Sequence, residues 1–193
     1  TTGPSVAETP EVDLSNFSPL SISALGVDNY WVLGYLQALP GQGFSLDPVV
    51  LHTSDGGQQI TVVSTAFSLS PQAMVADVPE LAIPNEQTVT HVAFGDASHG
   101  WLYGEALYET DDGGKTWNLN RDIPGPVVDV VTSDTAAWAV VRTSSGDIPE
   151  FGIYEAQFSG SAPAPEWTAV SLPFTPTRVQ PAIAAQRGSA YVL

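Results

Sequence analysis

The chain has 193 residues, room for one domain of ordinary size or two small ones. Five basic against twenty-one acidic side chains leave a formal charge of −16. That excludes nucleic acid as a partner, because phosphate contacts need a basic face, and it argues against docking on anionic lipid. There is no cysteine, hence no disulfide, thiolate metal site or cysteine nucleophile.

Residues 1–18 hold Pro4, Pro10 and several acids with few apolar positions. They read as a flexible leader, or alternatively place Val12–Phe17 as an outer strand that closes a ring. No apolar run reaches about 18 residues, so no membrane insertion is expected. The chain opens on Thr1 without a hydrophobic leader. With one lysine and many Thr, Ser, Gly and Pro residues, its composition suits an exported bacterial protein, extracellular or at the cell surface.

From residue 19 onward, sixteen prolines and seventeen glycines across the chain separate short runs rich in Val, Ile, Thr, Tyr and Trp. No stretch keeps a helical apolar period, so the fold class is all-β. Four segments repeat one pattern: Ile22–Gly34, Val92–Gly104, Val128–Val141 and Pro181–Leu193. Each is an apolar strand, a turn of Asp, Asn, Ser or Gly, and a second strand led by an aromatic: Trp31, Trp101, Trp138 and Tyr191. These four are the expected blade-core aromatics. The step from the last apolar residue of the first strand to the aromatic is seven positions from Phe94, Val131 and Ala184, and six from Leu25.

A second hairpin follows in each full unit. Leu107–Trp117 and Val49–Ile60 are each strand pairs around Asp-Gly-Gly, where glycine accepts the positive φ of a tight turn. The third unit has Gly152–Glu155, a Ser/Pro/Ala loop and then Trp167–Val170. Two hairpins of about 40–50 residues make a four-stranded propeller blade. The units span 20–67, 88–123, 126–172 and an incomplete 178–193, so 19–193 is expected to be blades.

The run Thr110-x-Asp112-x-Gly114-x-Thr116-Trp117 resembles the Asp-box (bacterial neuraminidase repeat, BNR) β-propeller family, whose pattern it matches at every defined position. Thr53-x-Asp55-x-Gly57 keeps the turn but has Gln59 and Ile60 where Thr and Trp belong. In that family the box is structural, fixing the turn between the third and fourth strands of a blade. Asp28, Asp96 and Asp134, in the first turns of three units, read as turn caps.

The resemblance brings sialidases, xyloglucan-hydrolysing endoglucanases, sortilin-type receptors and photosystem assembly factors into view. A sialidase needs three arginines converging on a carboxylate. This chain has four, Arg121, Arg142, Arg178 and Arg187, with Arg121 after a fourth strand and Arg187 in a hairpin turn. The basic patch implied by the assembly-factor type is not matched by this acidic chain. The expected function is a non-catalytic module binding protein or glycan. The alternative is a glycoside hydrolase acting on neutral glycan through paired carboxylates. No cofactor and no metal site are expected, because His52, His91 and His99 lack ligand spacing. The variable parts are the inserts Pro40–Pro48, Phe67–Pro84 and Ser144–Phe151. Since propellers run from four to eight blades, the remainder of a six- to eight-bladed ring is expected on a missing or separate segment.

Overall fold

The structure is a computed structural model that describes residues 14–37, 46–64, 89–144, 149–158, 166–172, 180–186 and 188–193. The described residues form strands and turns, with no helix among them. The leader up to residue 13, most of the three inserts, Arg178 and Arg187 lie outside the described residues.

The strands are β1 (Phe17–Ala24), β2 (Tyr30–Gln37), β3 (Leu46–Thr53), β4 (Thr61–Ser64), β5 (Val89–Phe94), β6 (Gly100–Gly104) and β7 (Leu107–Thr110). They continue as β8 (Asn118–Leu119), β9 (Val127–Thr132), β10 (Ala136–Arg142), β11 (Phe151–Gln157), β12 (Trp167–Ala169), β13 (Ile183–Gln186) and β14 (Ser189–Val192). They pair in chain order into three four-stranded antiparallel sheets and one two-stranded sheet. The architecture is a partial β-propeller.

Cross-strand register shows that the sheets are copies. One row of side chains runs Val92, Leu102, Tyr108, Leu119 across the second sheet. Its counterpart in the third is Val130, Ala139, Tyr154, Ala169. Most of each row packs back onto the preceding sheet, the first in a cluster with Trp31, Leu33 and Val50, the second in one with Trp101 and Tyr103. Because side chains alternate along a strand, the neighbouring rows point the other way. Those are Ser23, Trp31, His52, Thr61 in the first sheet and Ala93, Trp101, Glu109, Asn118 in the second. The third sheet has Val131, Trp138, Glu155, Thr168. Trp31, Trp101 and Trp138 therefore hold one register position and are all buried, each facing the next sheet.

Each seam is mostly apolar between the sheet faces and polar along the first strands. Ser21 Oγ and Ser23 Oγ of β1 accept bonds from the Val92 and Phe94 amides of β5, at 3.2 and 2.8 Å. Thr132 Oγ1 of β9 donates to the Phe94 carbonyl at 3.1 Å. These bonds satisfy edge amides that would otherwise be left unpaired at the seam.

Tyr191 departs from the expectation of a core aromatic. It pairs with Ala184 in the register of the three tryptophans, yet it is 58% exposed. Ala185, Ala190 and Val192 turn back onto the third sheet, so Tyr191 faces forward, where no further sheet is described. The closing-strand alternative, Val12–Phe17, lies partly outside the described residues, in which β1 begins at Phe17 and is hydrogen-bonded to β2 as the first strand of the first sheet.

Candidate functional site

In these up-and-down sheets the first-to-second and third-to-fourth turns share one end of the blade. The Asp-box turns are built there. Thr110 Oγ1 donates to Asp112 Oδ1 at 2.8 Å and accepts from the Gly114 amide at 2.9 Å. Asp112 Oδ1 then accepts the Lys115 and Thr116 amides, both at 2.9 Å, and Oδ2 accepts the Thr116 hydroxyl at 2.7 Å. The partial box is the same object with fewer bonds. Thr53 Oγ1 donates to Asp55 Oδ1 at 2.8 Å and accepts the Gly57 amide at 3.0 Å, and Asp55 Oδ1 accepts the Gln59 amide at 2.9 Å. Gln59 replaces the threonine hydroxyl of the full box. The glycine pairs share positive φ, 72° and 91° at Gly56 and Gly57 and 78° and 96° at Gly113 and Gly114, which a side chain would strain.

Burial pushes the Asp112 carboxyl up, but the Thr116 amide and the hydroxyls of Thr116 and Thr110 outweigh it and hold its pKa below 3.8. A depressed carboxylate pKa stabilises the fold above the unfolded value, and that contribution is lost as pH falls through the folded pKa. Asp112→Ala is expected to lower stability by about 1–2 kcal/mol at neutral pH. The expected drop in melting temperature is roughly 2–8 °C. Calorimetry should find the difference from wild type shrinking below pH 3.8.

A backbone stitch ties the two turns of each blade together. The Gly56 amide donates to the Asp28 carbonyl at 3.0 Å, and the Gly113 amide to the Ser98 carbonyl at 2.9 Å. In the third blade, where no box exists, the Phe158 amide donates to the Thr135 carbonyl at 3.0 Å. The first turn of the second blade is capped by Asp96 as the sequence suggests, and that of the third blade is not capped by Asp134. Asp96 Oδ1 accepts the Ser98 and His99 amides, both at 2.7 Å, and Oδ2 lies 2.8 Å from His99 Nδ1. In the third blade Ser133 does this, its Oγ accepting the Thr135 and Ala136 amides at 3.3 and 3.1 Å. The cap thus sits at Ser133, one position before Asp134. A hydroxyl and a carboxylate serve the same two-residue reach.

The most heavily bonded carboxylate lies inside. Glu109, 5% exposed, accepts Trp101 Nε1 at 3.2 Å, Trp167 Nε1 at 2.5 Å and Asn120 Nδ2 at 3.1 Å. Desolvation by burial raises its pKa above the usual carboxylate value, against the pull of the Trp167, Asn120 and Trp101 donors. Two aromatic classes meet at each full seam. The hairpin tryptophan faces forward, and an outer-strand tryptophan reaches back: Trp117 Nε1 donates to Ser64 Oγ at 3.1 Å, and Trp167 Nε1 to Glu109. Phe94 is stacked on Trp31 at 3.9 Å and meets Trp117 edge-on at 6.0 Å. Trp101 meets Trp167 edge-on at 6.1 Å, with Phe158 at 5.3 Å.

The remaining candidates are dispersed. His52 Nε2 bonds Asn29 Oδ1 at 2.8 Å, His91 stacks on Tyr103 at 5.1 Å, and His99 packs against Phe158 at 5.1 Å. Among the described residues no three acids or histidines converge as a metal site. A cleft of about 500 Å³ opens at the turn end between Thr132–Thr135 and Ala185, Gln186 and Gly188. The preceding seam holds Phe158 at this level, with its ring against Gly95.

Residues 70–128, which contain the second blade with its full box, match the family model described as Photosynthesis system II assembly factor YCF48. A curated relative, the photosystem II assembly lipoprotein Ycf48 of Picosynechococcus sp., is 49% identical over 41 residues, 20% of this chain and 12% of its own length. A solved structure described as YCF48 bound to D1 peptide aligns with a TM-score of 0.40 and 19% identity, over 83% of this chain and 43% of that one. The chain thus spans less than half the length of these relatives. They overturn the expected extracellular or cell-surface location, since the matched relative is a photosystem II assembly lipoprotein.

Proposed function

Taking as premise that this chain belongs among the Asp-box (BNR-repeat) propellers, we propose that it is a non-catalytic protein-binding module that takes part in assembling photosystem II. The observation that carries this reading is the match to the assembly-factor family over the second blade, the one with the complete box. The chemistry of the acids supports it. Asp55, Asp96 and Asp112 hold backbone amides, and Glu109 is enclosed by three donors, so these four serve the frame. Rigid turns on a fixed arc present a recognition surface at little cost in ordering entropy.

A charge of −16 suits a partner with a basic face and makes the encounter sensitive to salt. The test is fluorescence anisotropy with labelled D1 peptide and, separately, pull-down of photosystem II assembly intermediates from a phototroph. Saturable binding that weakens as salt rises is the expected result. Absence of binding in both, or turnover in a panel of chromogenic glycosides, would remove the reading.

A further inference from the structure

The first strand of each four-stranded sheet carries a bulge at the same place. Pairing slips between Pro19 and Ser21 in β1, between Val89 and His91 in β5, and between Val127 and Asp129 in β9. The residue after the slip is Ser21, His91 and Asp129 in turn. Each lies opposite the second residue beyond the hairpin tryptophan, at Leu33, Tyr103 and Val140. Such bulges re-aim side chains and recur beside binding sites. Because β5 and β9 are neighbours, His91 and Asp129 stand at one level on adjoining first strands.

In the first seam this level serves the frame, since Ser21 Oγ accepts the Val92 amide. In the second seam it holds three titratable groups. The exposed His91 ring lies 5.1 Å from the Tyr103 ring and nearly parallel to it, and Thr90 Oγ1 fixes its Nδ1 at 2.8 Å. Tyr103 is buried; desolvation and then the Asp129 charge push its phenol up to about 12. Asp129 is half-buried, and desolvation raises its carboxyl against the pull of the Val130 amide and His91. Among the described residues the ion pairs are His99 with Asp96 and Arg142 with Glu105, so no lysine or arginine offsets the Asp129 charge. A carboxylate drawn partly out of water without a cation costs stability, which marks it as a group kept for a ligand.

We infer that this level of the second seam seats an arginine side chain of a protein partner, Asp129 taking the guanidinium and the exposed His91 ring stacking on it. A guanidinium is planar and weakly hydrated, so it can fork onto a carboxylate and lie flat on a ring, whereas an ammonium offers only its charge. The inference rests on reading the chain as a protein-binding module and names the chemistry of one contact.

The test is a nuclear magnetic resonance titration of the purified chain with N-acetyl-arginine amide, and with its lysine and citrulline counterparts. Arginine should shift the His91 and Tyr103 ring signals saturably and should bind more tightly than either counterpart. Asp129→Asn should weaken that binding about tenfold or more. It should also raise the melting temperature at neutral pH by roughly 2–4 °C, because the uncompensated charge is gone. His91→Ala should weaken binding less and retain the preference for the charged ligand over citrulline. Absent shifts, shifts equalled by lysine or citrulline, shifts that survive Asp129→Asn, or a lower melting temperature for that variant would overturn the inference. A null titration removes this site whether or not D1 peptide binds, while the module reading stands or falls on the peptide and pull-down assays.

Discussion

Replacing Glu109 by alanine should cost about 3–5 kcal/mol, because it leaves two buried indole N–H groups without an acceptor and opens a void between them. Trp101 belongs to the second sheet with Glu109, but Trp167 comes from the third, 58 residues away, so the loss falls on a seam and not on one sheet. The melting temperature is expected to fall by roughly 6–20 °C. Glu109→Gln should cost less, since one oxygen remains, but its amide donors would confront the donors of Trp167 or Asn120. The pH dependence separates this group from the Asp box. A carboxyl whose pKa is raised by burial is protonated more readily in the folded chain than in the unfolded one. Stability attributable to Glu109 therefore falls as pH rises from 4.5 through its raised pKa. Asp112, nearby on the same hairpin, has the opposite sign. Denaturant titrations should show Glu109→Gln removing the first slope and Asp112→Ala the second.

Trp31→Ala is expected to have a comparable effect, about 3–5 kcal/mol, through a cavity in the first seam. The indole is stacked between Phe94 at 3.9 Å and His52 at 4.3 Å, and its Nε1 donates to the Gly113 carbonyl of the next blade's Asp box at 3.1 Å. Trp31→Phe keeps a ring but not the donor and should cost about 1 kcal/mol. Urea denaturation of the three proteins measures this order. Equal stability of Trp31→Ala and Trp31→Phe would show that the stacked ring contributes nothing.

Much of this architecture can be read from short-range pattern. The three hairpin tryptophans are legible because the turn before each has nearly constant length, which fixes register, and register fixes the face. The Asp boxes are legible because all their bonds close within about one turn, Thr110 to Thr116. What crosses between blades is not. Glu109 looks like any alternating strand residue until Trp167 arrives from the third sheet, and nothing local predicts that distance. Phe158 is hidden in the same way: its backbone reproduces the stitch of Gly56 and Gly113 without their motif, since the bond needs only an amide at that point. Ser133 is missed because serine and aspartate cap a turn equally well, so alignment on aspartates selects Asp134. Tyr191 is placed correctly in register but not in burial, because burial depends on a neighbouring sheet and not on the strand itself.

The sheets are successive copies that meet at equivalent seams. An aromatic and methyl nuclear Overhauser spectrum of the labelled chain tests this most directly. Cross-peaks are predicted from the Trp31 indole to the Phe94 ring, from Trp101 to Trp167, and from Trp138 to methyls of the third cluster that include those of Ile183 or Val192. A spectrum in which these indoles contact only residues of their own sheets would contradict it.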